Sequence, residues 1–133
     1  MANEAVIIEL LGNGGDPIRY TVADGTTIPK GSLMYLSGDR TISITSGAGQ
    51  AIAGIAASEK VANDGSTNLA VYTNGIFDLK DSGSAITLGN MVKISGVNTI
   101  STAADGDYEL GRVIGRALET ADASEVIAVR VLL

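Results

Sequence analysis

The sequence contains no cysteine and no histidine, and it is poor in aromatic residues. Its 133 residues include one Phe, four Tyr and no Trp. Without cysteine a protein has no disulfide, no thiol nucleophile and no thiolate metal site. Without histidine a Ser-His-Asp triad and a histidine zinc site are both impossible. These absences favour a protein that is not an enzyme and that uses no cofactor and no metal.

Basic charge and long apolar runs are also scarce. Nine Lys and Arg residues stand against 15 Asp and Glu, for a net charge of −6. Binding to nucleic acid requires a basic surface, and anionic membranes repel an acidic one. No stretch approaches the roughly 20 apolar residues that span a bilayer, and the first residues lack the basic start of a signal peptide. We therefore expect no nucleic-acid partner, no membrane association and synthesis in a cytosol.

What the sequence does contain is a repeat at an offset of 58 residues. Segments 28–43 and 86–101 share the frame I-x-x-G-x-x-[MV]-x-[LI]-S-G-x-x-T-I-S, and 52–56 resembles 113–117 after a three-residue insertion. Two copies are too few for a solenoid. Abundant Val, Ile and Thr with 17 glycines favour short strands and tight turns. We therefore predict an all-β fold, a small β barrel or sandwich built from two pseudo-repeated units.

The predicted boundaries follow from the repeat. An extended N-terminal arm covers 1–17, and a single β domain covers 18–133, with units of about 18–74 and 75–133. The Asn74-Gly75 pair is typical of a type I′ turn and predicts a hairpin between 68–73 and 76–79. The repeat predicts three equivalent pairs: Ile28 with Ile86, Gly31 with Gly89, and Ile42 with Ile100. The expected core consists of Ile28, Leu36, Ile42, Ile55, Val71, Val92, Ile94, Ile100, Val113, Ile114, Ile127 and Val129.

Two groups of carboxylates could carry chemistry. Residues 105–109 place three carboxylates at alternating positions, which could bind a hard cation such as Ca²⁺. Their spacing does not fit an EF-hand, and a solvated loop at the insertion is the simpler interpretation. Asp78 and Asp81 flank Lys80, and paired carboxylates can hydrolyse glycosides. Carboxylates this close in sequence are more often solvated turn residues. Lys80 near a hairpin also suggests a lipoyl- or biotinyl-type module, but its surroundings match that module poorly.

Two segments are candidates for contacts with other chains. The apolar run at the N-terminus lies outside the repeat, so it either pairs with another protein's sheet or forms an edge strand of its own barrel. In the first case residues 2–11 are poorly fixed in the isolated protein, and the contacts are Val6, Ile7, Ile8 and Leu10. Segment 51–57 is rich in small residues, which permit close approach of another backbone. There we predict contacts between copies at Ala51, Ala53, Gly54 and Ala56.

Several short segments of the chain resemble one known family. They are 28–33 (IPKGSL), 53–56 (AGIA), 71–77 (VYTNGIF), 86–92 (ITLGNMV), 114–117 (IGRA) and 129–132 (VRVL). Together they resemble the small head decoration, or capsid cement, proteins of tailed phages. The resemblance implies a compact β barrel that forms a homotrimer on the outer surface of the virion capsid. It also implies an N-terminal arm that reaches onto the coat protein, and stabilisation of the expanded shell.

One alternative function from another class stays open. A surface binding module of the carbohydrate or adhesion type would also need no catalytic residue. Such a module requires exposed aromatic side chains at its binding face. The candidates are Tyr20, Tyr35, Tyr72 and Tyr108.

Overall fold

The computed structural model describes residues 3–9 and 17–133, and in these residues it contains strands and no helix. The all-β prediction is therefore confirmed. The eleven strands are β1 (Val6–Glu9), β2 (Ile18–Thr21), β3 (Leu33–Gly38), β4 (Thr41–Ile44), β5 (Ile52–Ala56), β6 (Asn68–Tyr72), β7 (Asn74–Asp81), β8 (Met91–Gly96), β9 (Thr99–Thr102), β10 (Val113–Ala117) and β11 (Val126–Leu132).

The strands close into two small barrels. The first barrel has the order β2-β4-β3-β5-β6. The second has the order β7-β11-β10-β8-β9, and pairing between β7 and β9 closes it. In each barrel the closing pair, β2–β4 or β7–β9, is parallel and the other neighbours are antiparallel. Closure gives each strand of a ring two neighbours, but β9 pairs only with Lys80 and Asp81 of β7, so the earlier part of β7 keeps an edge that β9 does not cover.

The two barrels are copies of one unit. Strands β3 and β4 recur as β8 and β9 at the offset of 58 residues, with a bulge at the same place in each pair. The N–H of Gly31 donates to the carbonyl of Ala56, and that of Gly89 to Ala117, both at 2.9 Å. Ile28 and Ile86 form equivalent isolated bridges, and Ile42 and Ile100 are both buried. The predicted pseudo-repeat is thus confirmed.

The buried side chains form two apolar clusters. The smaller one fills the first barrel, and the larger one fills the second barrel and includes Leu33, Ile52 and Ile55 of the first. Ten of the twelve expected core residues are buried, but Leu36 is 41% exposed and Val113 is half-buried. Leu36 lies near the end of β3, where strand alternation turns it inward but the rest of the barrel does not cover it.

The Asn74-Gly75 pair is not a hairpin turn. Both residues belong to β7, opposite Leu132 and Val131 of β11, while β6 pairs with β2 and β5 in the first barrel. The hairpin prediction is therefore wrong. Strands β6 and β7 are adjacent in sequence but belong to different barrels, and Thr73 joins them.

The N-terminal segment contacts both barrels. Strand β1 pairs with β7, placing Val6 opposite Asp78 and Ile7 opposite Phe77. The N–H of Ala5 donates to the carbonyl of Gly31 in the first barrel at 2.6 Å. Of the two alternatives for the N-terminal run, β1 fits the second: it is an edge strand paired within its own chain, on the part of β7 that precedes the pairing with β9. The expectation that residues 2–11 are poorly fixed is therefore wrong for β1. Leu10 and the glycine-rich stretch 12–15 lie outside the described residues.

Candidate functional site

The outer side of β1 is the first candidate contact surface. β1 is the outermost strand of its sheet in the described part of the chain. Val6 is 57% and Ile8 is 53% exposed, whereas Ile7 packs against the larger core cluster. Alternation along the strand therefore divides the predicted coat-protein contacts: Val6 and Ile8 face solvent and Ile7 faces inward.

The small-residue segment in β5 serves packing inside the chain. A Cβ on Gly54 would lie 2.5 Å from the carbonyl oxygen of Tyr72, so another backbone does approach closely. That backbone is β6 of the same barrel. Ala53 and Ala56 are buried as well, and Ala51 is half-buried. Ala53, Gly54 and Ala56 therefore pack inside the first barrel, and of the four predicted contacts between copies only Ala51 is partly exposed.

The acidic segment 105–109 does not bring its carboxylates together. Asp107 is buried and accepts a hydrogen bond from the N–H of Ala104 at 2.7 Å, with Lys93 Nζ at 3.2 Å and Arg112 at 3.5 Å. The Ala104 N–H, followed by Lys93 and Arg112, holds the pKa of Asp107 below its ordinary value despite the opposing effect of burial. Its neighbours at 105 and 109 are exposed. Asp107 thus anchors the loop, and two cations already compensate its charge.

The carboxylates beside Lys80 are also separated. Asp78 is half-buried and Asp81 is fully buried, and their spacing along β7 puts them on opposite faces of the strand. Asp81 accepts a hydrogen bond from the N–H of Ser124 at 3.3 Å. Across 3–9 and 17–133 there is no cluster of three side chains able to hold a metal ion. Because Asp78 and Asp81 lie on opposite faces of β7, they do not form the carboxylate pair that the hydrolase interpretation requires.

A buried lysine anchors the loop that follows β5, and sequence reasoning did not identify it. Lys60 is 2% exposed, and its Nζ lies 3.1 Å from Asp24 Oδ1 and 3.0 Å from Asp64 Oδ1. Burial lowers the pKa of Lys60, but the hydrogen bonds to Asp64 and Asp24 outweigh it and raise the pKa. The two carboxylates are 36 and four residues away in sequence. Only the long-range fold brings all three together, and the group is structural.

The second candidate surface surrounds Tyr108, and we call it the Tyr108 face. Tyr108 is 78% exposed, and the other three tyrosines are half-buried. A single exposed ring gives little support to a carbohydrate-binding platform. Beside Tyr108 lies a pocket of about 440 Å³. Its lining consists of Asn90, Met91, residues 102–106, Tyr108 and Val113.

The described residues contain no helix long and apolar enough to cross a membrane.

Comparison with known proteins identifies the family. The chain is similar to the crystal structure of the head fiber N base in bacteriophage phi29, with 18% identity, a TM-score of 0.54, and coverage of 86% of this chain and 92% of that chain. No curated protein matches the sequence significantly. The family model described as phage cement protein matches residues 12–133. The chain therefore belongs to the phage cement protein family.

Proposed function

We propose that this protein decorates the outside of an expanded phage capsid, binding the coat-protein shell and stabilising it. The observation that carries this proposal is the family match over residues 12–133. The double-barrel fold, shared with part of a phage head fiber, is consistent with it. The described residues supply anchors for loops rather than an assembled catalytic group, which suits a structural role.

The proposed coat contact is the outer side of β1. The strand offers main-chain groups along its outer edge, to which an extended segment of the coat protein can add. Val6 and Ile8 supply exposed apolar side chains beside that edge. Leu10 continues the same alternation in sequence, and Ile7 holds β1 on its own barrel from the inner face.

Stabilisation follows from selective binding. A ligand that binds the expanded shell and not the unexpanded one shifts the equilibrium toward the expanded form by mass action. We propose that the protein acts as a homotrimer. Three linked copies bind with avidity, so that a weak contact for each copy suffices.

The test is co-sedimentation of the purified protein with expanded and unexpanded capsids, using the double variant Val6→Asp/Ile8→Asp. We expect the wild type to pellet with expanded capsids. The variant should bind at least about tenfold more weakly, since it places two charges where the wild type would bury apolar side chains against the coat protein. The matched control is Val61→Asp/Leu88→Asp, which places the same charges at two other exposed apolar positions.

The outcomes separate the function from the contact. A wild-type protein that does not bind expanded capsids refutes the proposed function. A double variant at β1 that binds as well as its control leaves the function standing and shows that the contact lies elsewhere. The melting temperature of each variant verifies that the barrels remain folded.

A further inference from the structure

The two barrels of one chain contact each other head to tail. The turn between β8 and β9 docks on the first barrel, where the Oδ1 of Asn98 accepts a hydrogen bond from the N–H of Leu33 at 2.8 Å. The Oγ1 of Thr45 accepts from the N–H of Asn98 at 3.1 Å and donates to the carbonyl of Gly96 at 2.9 Å. The second barrel therefore contributes a turn, and the first contributes a face made of the start of β3 and the end of β4.

The repeat places an equivalent turn on the first barrel and an equivalent face on the second, and we call these two surfaces the ends of the chain. The turn equivalent to 96–99 is 38–41, and the positions equivalent to Leu33 and Thr45 are Met91 and Ala103. Under a twofold relation, turn 38–41 would dock on Met91 and Ala103 of its own chain. Instead Arg40 is exposed on the first barrel, donating to the carbonyl of Arg19 at 3.1 Å, and Met91 and Ala103 line the pocket of the Tyr108 face.

Exposure of apolar side chains follows the same head-to-tail pattern. Leu36, near turn 38–41, is 41% exposed, whereas its equivalent Ile94 is 1% exposed and belongs to the cluster shared by both barrels. Leu33 is fully buried in that cluster, whereas its equivalent Met91 is half-buried at the pocket. Each end of the chain thus exposes apolar atoms whose counterparts are covered where the two barrels meet.

The charges at the two ends are complementary. Arg40 occupies the position equivalent to Asn98 and, like Asn98, has a positive φ, of 46° against 52°. The pocket that would receive it contains the exposed carboxylate of Asp105. An Arg in the turn and an Asp in the pocket make a matched pair.

We propose that copies of this chain assemble head to tail, with turn 38–41 of one copy seated in the pocket beside Tyr108 of the next and Arg40 facing Asp105. Contacts between unlike surfaces close into a ring when the rotation allows it. In the homotrimer of the proposed function, on which this inference rests, three copies form a ring of six barrels. Contacts within and between chains alternate around that ring.

Sedimentation velocity of the full chain at tens of micromolar tests the contact. Arg40→Glu and Asp105→Arg each juxtapose like charges and should raise the dissociation constant between copies roughly tenfold or more. The double variant restores an opposite pair and should sediment as the wild type does. Lys30→Glu and Asp122→Arg are controls that make the same charge changes at exposed positions away from the proposed contact.

Mixing the two single variants tests the head-to-tail geometry. When a copy of one variant is next to a copy of the other, residues 40 and 105 at their contact have opposite charges. A ring of three, however, always places two copies of the same variant next to each other, and there the charges are alike. The equimolar mixture should therefore associate more strongly than either single variant alone, but its trimer, with one mismatched contact, should be weaker than that of the wild type. Single variants that sediment as the wild type does, or a wild type that is monomeric, overturn this inference, and binding of either protein to expanded capsids would still support the proposed function.

Discussion

Removing the side chain of Asn98 should loosen the contact between the two barrels. Asn98 is fully buried, and its Oδ1 accepts the N–H of Leu33, which is itself fully buried. Asn98→Gly removes the acceptor and keeps a residue that tolerates the φ of 52°. Asn98→Ala removes the acceptor and also places a Cβ in the left-handed region.

The magnitude follows from these two effects. A buried N–H without a partner costs about 1–3 kcal/mol of folding free energy. We therefore expect Asn98→Gly to lower the free energy of unfolding by about 1–3 kcal/mol. For a domain of this size that corresponds to a fall in Tm of roughly 3–12 °C. Asn98→Ala adds about 1 kcal/mol for the left-handed backbone.

Urea unfolding followed by circular dichroism measures these differences, with Asn63 as the matched control. Asn63 also has a positive φ, of 61°, but its side chain is exposed on a loop. Asn63→Gly should change the free energy of unfolding by less than about 0.5 kcal/mol. If Asn98→Gly destabilises the protein no more than Asn63→Gly does, the docked turn does not hold the barrels together and the reasoning fails.

Three further substitutions test the packing and the charges of the second barrel. Gly115→Ala would place a Cβ against the carbonyl of Arg130 on β11. We therefore expect the free energy of unfolding, measured in urea, to fall by an amount at or above the upper end of about 1–3 kcal/mol. Gly89→Ala has open space and only a positive φ, and should cost about 1 kcal/mol. The pKa of Asp107 is lowered, above all by the hydrogen bond from the backbone N–H of Ala104. Its contribution to stability is therefore fully present above the ordinary carboxyl pKa and is lost as the pH falls through the lowered pKa. Asp107→Asn should therefore lower Tm at about pH 7 and differ little from the wild type at about pH 2; an equal loss at both would contradict the charge argument.

The repeat and its strands could be read from the sequence because their causes are local. The shared Ser-Gly and Thr-Ile-Ser signals set a turn and a period-2 strand in each unit, and β3–β4 and β8–β9 follow them. Alternation also assigns Leu36 to the inner side of β3. It does not tell which end of a barrel is covered, since that depends on the neighbouring barrel, and Leu36 is exposed for that reason.

Contacts between distant residues had no signal in the sequence. The bond from Leu33 to Asn98 spans 65 residues, and Lys60 finds Asp24 36 residues away. The apolar N-terminal run correctly predicts a β-strand, but its partner β7 lies about 70 residues downstream and no local pattern identifies that partner. In β5 the small residues correctly indicated a close backbone, yet only the fold shows that this backbone is β6 of the same chain.

The two repeats differ at the residues of the head-to-tail contact, and the need of one contact to dissociate explains the difference. Within the chain the contact is permanent, so it can bury the neutral Asn98 and the hydroxyl of Thr45 in a fixed hydrogen-bond network. A contact between copies must leave both surfaces hydrated when the copies are apart, which favours charged groups over buried amides. Arg40 stands where the second unit has Asn98, and Ala103 stands where the first has Thr45, with Asp105 nearby. In the proposed contact between copies an Arg–Asp pair takes the place of this neutral network, so that contact can form and dissociate, and salt should weaken it.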